Sequence, residues 1–165
     1  MNGRSCVFLD RDGVIIRERG EHTWLLADVE LLPGVPEALL ALRRTGHLII
    51  LITNQSGIGL GLYGHADVEQ VHAYLHERLD PLGAGFDDVY YCPHHPSKGR
   101  CLCRKPGSLM LERAIARHGI APDRSVMIGD RDRDTDAATA VGVRGILIPA
   151  NAPLLPVLSE HGLLP

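Results

Sequence analysis

The chain has 165 residues and a mass of 18.0 kDa; 45% of the residues are hydrophobic and 22% charged, with 17 basic against 20 acidic side chains. That composition suits one folded domain, residues 1–165, rather than a disordered chain. The net charge of −3 speaks against a general nucleic-acid binder, and no apolar run approaches the ~20 residues of a membrane span. The opening MNGRSCVFLDRDG carries charge by residue 10 and no apolar leader, so the expected location is cytoplasmic. Four cysteines would stay reduced there and suit metal binding better than bridging.

Taken in chain order, residues 6–9 read as a buried strand and 36–44 as a helix stopped by Gly46. Residues 48–53 form a second apolar strand. Val68, Val71, Leu75 and Leu79, at steps of 3, 4 and 4, mark one stripe of a second helix. A short strand at 89–91 follows, then a helix capped by Ser108 that ends before Gly119. Residues 125–128 and 144–148 read as the last strands, separated by a helix from near Asp134 to Gly142. A short helix over 154–160 lies in a proline-rich tail expected to wrap the body. The strands are continuous apolar runs, as parallel strands covered on both faces are. Strands alternating with helices predict a three-layer, Rossmann-like α/β fold with a mostly parallel sheet. Such sheets bind ligands beyond the carboxyl ends of their strands.

The residues at those ends are polar. Asp10-Arg11-Asp12-Gly13 follows the first strand, and two carboxylates two positions apart in extended chain point the same way. Their repulsion calls for a cation or a shared proton, and Mg²⁺ is the oxygen-seeking ion that takes carboxylates plus a substrate phosphate. One carboxylate can attack phosphorus while the other handles the leaving-group proton; DxDG is also an ordinary surface turn. Thr53-Asn54-Gln55-Ser56-Gly57 follows the second strand, where a hydroxyl, amides and exposed backbone N–H groups suit phosphate oxygens or a plain turn. After the fourth strand, Asp130, Asp132, Asp134 and Asp136 alternate in a pattern that fails the calcium-loop template, lacking Gly at its sixth and Glu at its twelfth position. Asp130 is best placed as a metal ligand, Asp134 as a cap or orienter of the next helix, and Asp132 and Asp136 as solvated groups.

The third strand end carries Cys92-Pro-His94-His95 and then Cys101-Leu-Cys103-Arg104-Lys105. A Cys-x-His pair and a Cys-x-Cys pair six residues apart can close a tetrahedron around Zn²⁺. Cys92, His94, Cys101 and Cys103 would leave no open position, which makes the zinc structural and leaves His95 over; Cys6 is core. A zinc-pinned loop would fix Arg104 and Lys105 as cations that neutralise charge on a transferring phosphoryl group.

DRDGV, TNQSG, RKP and GDRDRDTDAA, in this order, resemble the motif set of the haloacid dehalogenase superfamily of phosphatases. The CPHH…CLC insertion is similar to its zinc-containing branch, which holds the heptose-1,7-bisphosphate 7-phosphatases and the histidinol-phosphate phosphatases. The resemblance runs from about residue 6 to about residue 148. It implies a haloacid dehalogenase-like fold without a large cap, a nucleophilic Asp10, and Asp12 as acid and then base. It further implies Mg²⁺ on Asp10, the Asp12 carbonyl and Asp130, with Thr53 and Lys105 steadying the phosphoryl group. Substrate contacts are implied for Glu18, Arg19, Gly20, Glu21, Arg104 and Arg131, beside Asn54, Gln55 and Ser56.

The activity implied is removal of the 7-phosphate from D-glycero-D-manno-heptose 1,7-bisphosphate, with hydrolysis of histidinol phosphate as the alternative. Lys98, Arg100 and Arg104, with Arg17 and Arg19, are the cations available for a distal phosphate; Glu18 and Glu21 would suit an amine instead. A non-catalytic zinc module is the competing class, and the aromatic content of 4% gives it little for base stacking. The expected partner is a small phosphorylated sugar, with no nucleic acid, no membrane and a monomeric chain.

Overall fold

The computed structural model describes residues 3–165. Five strands, β1 (Cys6–Leu9), β2 (Leu48–Asn54), β3 (Asp88–Cys92), β4 (Val126–Gly129) and β5 (Arg144–Leu147), form one sheet in the order β3-β2-β1-β4-β5. Every pairing is parallel. The helices are α1 (Val35–Arg44), α2 (His65–Leu79), α3 (Leu109–His118), α4 (Asp132–Thr139) and α5 (Leu154–Glu160).

Alternation along the strands sends side chains to two separate cores. Val7, Leu9, Ile49, Leu51 and Ile128 pack with Val35, Leu39 and Leu42 of α1, Val71 and Leu75 of α2, and Leu154 and Leu158 of α5. Cys6, Phe8, Ile50, Ile52 and Met127 face the other way, onto Met110 and Ala114 of α3 and Ala137 and Ala138 of α4. The three layers follow directly, each large buried side chain contributing about 1.5–3 kcal/mol by its transfer from water.

Three expectations need correction. The last strand is not covered on both faces: β5 is a sheet edge, with Arg144 and Leu147 exposed. Ser108 precedes α3 in helical conformation and does not cap it; its hydroxyl donates instead to Glu112 Oε1 at 2.5 Å. Helix α4 begins at Asp132, two residues before the expected start, because Asp134 Oδ2 accepts from the Arg131 N–H at 3.1 Å and so caps from inside the first turn. The tail does wrap: α5 buries Leu154 and Leu158 against the α1 side of the sheet. No helix among the described residues is long and apolar enough to cross a membrane.

The chain runs outward from β1 through β2 to β3, then returns to β4 on the other side of β1. That reversal opens a crevice beyond the carboxyl ends of β1 and β4. The segment between β1 and α1 adds only isolated bridges and a 3-10 turn at Leu26–Asp28, and no cap domain appears among the described residues.

Candidate active site

Pairing of β1 with β4 aligns Leu9 with Ile128, and the Asp10 N–H donates to the Ile128 carbonyl at 3.0 Å. Asp10 and Asp130, 120 positions apart in sequence, therefore leave adjacent strands at the same level. Gly13 lets the chain turn tightly there. Its φ is +86°, and a Cβ on it would come within 2.5 Å of Asp130 Oδ2. Asp134 returns toward the same point over Gly129, where a side chain would collide with it. Carboxylate oxygens of Asp10, Asp130 and Asp134 all lie within 4.8 Å of one another. Asp134, read from the sequence only as a cap or orienter, adds a third side chain to the expected Asp10 and Asp130; the contribution expected of Asp12 is its backbone carbonyl.

Lys105 is the counter-ion. Its Nζ lies 3.0 Å from Asp10 Oδ1 and 2.6 Å from Asp134 Oδ1, and it donates to the Ile52 carbonyl at 2.6 Å, with only 1% of the side chain exposed. Burial lowers the affinity of the ammonium for its proton, but Asp10 and Asp134 outweigh that effect and hold its pKa above the ordinary value. Burial pushes the Asp10 carboxyl up to about 7; Lys105 opposes the shift, while Asp134 and Asp12 add to it. Asp130 is likewise raised, by burial and then by Asp134. Asp10 and Asp134 share the one ammonium, while Asp130 has only the exposed Arg131 guanidinium at 3.7 Å, so the site is short of positive charge.

Asp12 is held apart from that cluster. Arg11 Nε and Nη2 donate to its two carboxylate oxygens at 3.1 and 3.2 Å, and Gln55 Nε2 donates to Oδ2 at 3.2 Å. Gln55 also donates to Thr53 Oγ1 at 2.9 Å and accepts from Tyr63 OH at 3.0 Å, so Thr53 and Asp12 share one fixed amide. Arg11 is among the largest fully buried side chains, and it also donates to the Thr23 carbonyl at 2.9 Å. Its Nη1 faces His72 Nε2 at 3.5 Å. Burial, with Arg11 and His76 adding, lowers the His72 pKa to about 3.

Cys92, His94, Cys101 and Cys103 bring one donor atom each within 4.8 Å of the others. Cys92 Sγ lies 3.0 Å from Cys103 Sγ and 3.7 Å from Cys101 Sγ, and His94 Nδ1 lies 3.2 Å from Cys103 Sγ. The Arg104 N–H donates to Cys101 Sγ at 3.4 Å. His95 turns away and accepts from the Ser97 N–H at 3.1 Å. Cys6 lies in the core. Two residues beyond Cys103, the Lys105 backbone is clamped by Asn54, whose Oδ1 accepts from Lys105 N at 3.0 Å while its Nδ2 donates to Lys105 O at 3.2 Å.

A cleft of about 290 Å³ opens over these groups. Of the expected contacts, Glu18, Gly20, Glu21, Asn54, Gln55, Ser56, Arg104 and Arg131 line it. Arg19 does not. Its guanidinium is taken by Asp28 at 3.1 Å and approaches Glu21 at 4.0 Å. Among the cations considered for a distal phosphate, Arg17 is paired to Glu30 at 2.8 Å, and neither Lys98 nor Arg100 lines the cleft. His22, Thr23 and Arg133 line it without having been expected to. Asn151, at φ 65°, fixes the rim: its Oδ1 accepts from Glu18 N at 2.7 Å and its Nδ2 donates to Glu18 O at 3.2 Å. Thr23 Oγ1, Arg104 Nη1, Asp130 Oδ2 and Arg133 Nε are buried without a hydrogen-bond partner, and all four residues line this cleft. Polar atoms orphaned together in one pocket mark a ligand site.

A HAD-hydrolase-like family model matches residues 102–152. The chain is 37% identical over 148 residues to D-glycero-beta-D-manno-heptose-1,7-bisphosphate 7-phosphatase of Haemophilus ducreyi, covering 86% of this chain and 81% of the relative. It is 40% identical over 150 residues to the enzyme of that name from Helicobacter pylori J99, covering 90% and 85%. The chain belongs to the heptose-bisphosphate phosphatase family of HAD-like hydrolases. Within that family, the crystal structure of D,D-heptose 1,7-bisphosphate phosphatase from B. bronchiseptica, complexed with magnesium and phosphate, superposes with a TM-score of 0.83 at 30% identity, covering 98% of this chain and 88% of that one. The donor sets fit two different ions. Three carboxylates, with Asp130 Oδ2 accepting no hydrogen bond and only Arg131 Nε near it at 3.7 Å, suit a hard cation such as Mg²⁺. Three sulfurs and an imidazole nitrogen suit Zn²⁺. Family membership makes this chain a phosphatase.

Proposed function

We propose that the chain removes the 7-phosphate of D-glycero-D-manno-heptose 1,7-bisphosphate through an aspartyl-phosphate on Asp10, as a single-domain monomeric enzyme of the cytoplasm. The observation that carries this reading is the Asp10–Lys105–Asp134 cluster beside Asp130, at the mouth of a cleft, in a chain of this family. A carboxylate of Asp10 attacks phosphorus and the bond from phosphorus to O7 breaks. Asp12, steadied by Arg11 and Gln55, gives its proton to the leaving O7. Asp12 then takes a proton from the water that attacks the phosphoryl group, freeing phosphate and Asp10. Lys105 and Thr53 hold the phosphoryl oxygens in line while charge builds on them. Mg²⁺ would be held by Asp10 and Asp130, with the Asp12 carbonyl and Asp134 alongside, and would supply positive charge to the transferring phosphoryl group. Zn²⁺ on Cys92, His94, Cys101 and Cys103 would be structural, fixing the segment that carries Arg104 and Lys105.

One observation favours a second reading. Glu18 and Glu21 line the cleft and would suit the amine of histidinol phosphate. Phosphate release from both compounds, with and without Mg²⁺, separates the two. A kcat/KM favouring the bisphosphate by tenfold or more, about 1.4 kcal/mol of transition-state preference, supports the heptose assignment. The same margin in the other direction overturns it.

A further inference from the structure

The cleft holds more positive charge than the reacting phosphoryl group uses. Lys105 is enclosed by Asp10 and Asp134 at the reacting end and does not line the rest of the cleft. Arg104 and Arg133 also line the cleft, one from the segment after Cys103 and the other from the first turn of α4. Most arginines in this chain that lie near a carboxylate are paired with it: Arg11 with Asp12, Arg17 with Glu30, Arg19 with Asp28 and Arg43 with Asp87. Among the described residues, neither Arg104 nor Arg133 has an ion-pair partner within 4.0 Å. Each instead keeps one buried nitrogen unsatisfied, Nη1 of Arg104 and Nε of Arg133. A buried donor left unpaired is costly, and two like charges lining one cleft add repulsion. Planar donor forks that converge without a counter-ion form a receptor for a phosphate dianion.

We propose that Arg133 joins Arg104 to seat the second, non-reacting phosphate of the substrate, which makes Arg133 a specificity-determining residue. The inference rests on the bisphosphate reading above. Glu18 and Glu21, also in the lining, repel a phosphate, and Arg131 is drawn to Asp130 at 3.7 Å, which leaves Arg104 and Arg133 as its seat.

The test compares kcat/KM for the 1,7-bisphosphate and for the 7-monophosphate of the same heptose, in wild type, Arg133→Gln and Arg133→Lys. The expected result is a tenfold or greater fall in the bisphosphate-to-monophosphate preference in Arg133→Gln, arising mainly in KM. Arg133→Lys restores part of it, because the ammonium returns the charge without the fork. A merely structural arginine would slow both substrates alike and leave the ratio unchanged; that result overturns the proposal, as does a ratio within twofold of wild type. If the wild-type enzyme itself shows no preference for the bisphosphate, the heptose-bisphosphate reading falls and the seat falls with it. If the preference is present and survives Arg133→Gln, the seat alone falls.

Discussion

The two donor clusters of this molecule are built in opposite ways. The thiolate–imidazole cluster draws its members from one stretch, Cys92 to Cys103, and depends on a local chain path. The carboxylate cluster draws Asp10 from β1 and Asp130 and Asp134 from beyond β4, and depends on the whole sheet. One is made of soft donors in a closed set, the other of hard donors with an oxygen left unpartnered. A closed set can hold structure, whereas an open one can take a substrate. On the function proposed above, the first cluster would stabilise the loop and the second would carry the chemistry.

That division can be broken experimentally. The largest effect is expected at the proposed nucleophile. Asp10→Asn keeps the fold and loses turnover by roughly 10⁴-fold or more, measured by phosphate release and circular dichroism. Appreciable residual turnover would reassign the nucleophile. Brief treatment with EDTA should abolish activity and Mg²⁺ should restore it, with zinc content unchanged by elemental analysis; zinc lost in the same treatment would blur the two roles. Cys101→Ser should lose the metal of the thiolate cluster and slow turnover by roughly 10–100-fold, the range seen when supporting groups are removed. Full activity in a zinc-free variant would disconnect that loop from the chemistry.

Smaller effects reach the supports of Asp12 and of the rim. Burial, with Arg11 and His76 adding, pushes the His72 pKa down to about 3 from its ordinary 6.5, so between those values the unfolded chain holds up to one more proton. Stability should therefore fall as pH drops through this window, by about 1.4 kcal/mol per pH unit at most from this group. His72→Gln should flatten that slope in denaturant titrations, and an unchanged slope would show that another group carries it. Asn151→Gly preserves the positive φ but removes two hydrogen bonds to Glu18. About 1 kcal/mol is at stake, expected as a several-fold rise in KM; an unaltered KM would detach Glu18 from the substrate.

Legibility in the sequence follows the same contrast. The strands and the zinc-type spacing are local patterns, and they appear in the structure close to where periodicity and spacing put them; the DxD pair does not keep its two carboxylates together, because Arg11 and Gln55 draw the Asp12 carboxylate away from the cluster of Asp10. Asp134 was read as a capping or orienting residue, which its Oδ2 indeed is. Its second role needs Lys105 to arrive from 29 residues upstream, which no local pattern encodes. Arg11, flanked by two aspartates, carries no local sign of burial. It is buried because Asp12 and the Thr23 carbonyl satisfy it inside the protein. Arg19 stood at the expected position along the chain but was already taken by Asp28, while Arg133, in a run of alternating charge, gave no sign of facing a cleft. Asn151 lies 133 positions from the residue it holds.

The clamp between Asn54 and Lys105 has a consequence for how this chain can change over evolutionary time. The Asn54 side chain offers Lys105 one donor and one acceptor, the same pair that a neighbouring strand would present, so the sheet is continued for one residue by an amide that is not backbone. At the other end of the excursion, Cys92 is already paired with Asn54 in the β2–β3 ladder. Both feet of the segment from 93 to 104 thus stand on a single asparagine. The lysine is therefore held from two sides, by the donor cluster that precedes it in the chain and by Asn54 across the sheet end, and a change in length confined to residues 95–100 leaves both attachments in place.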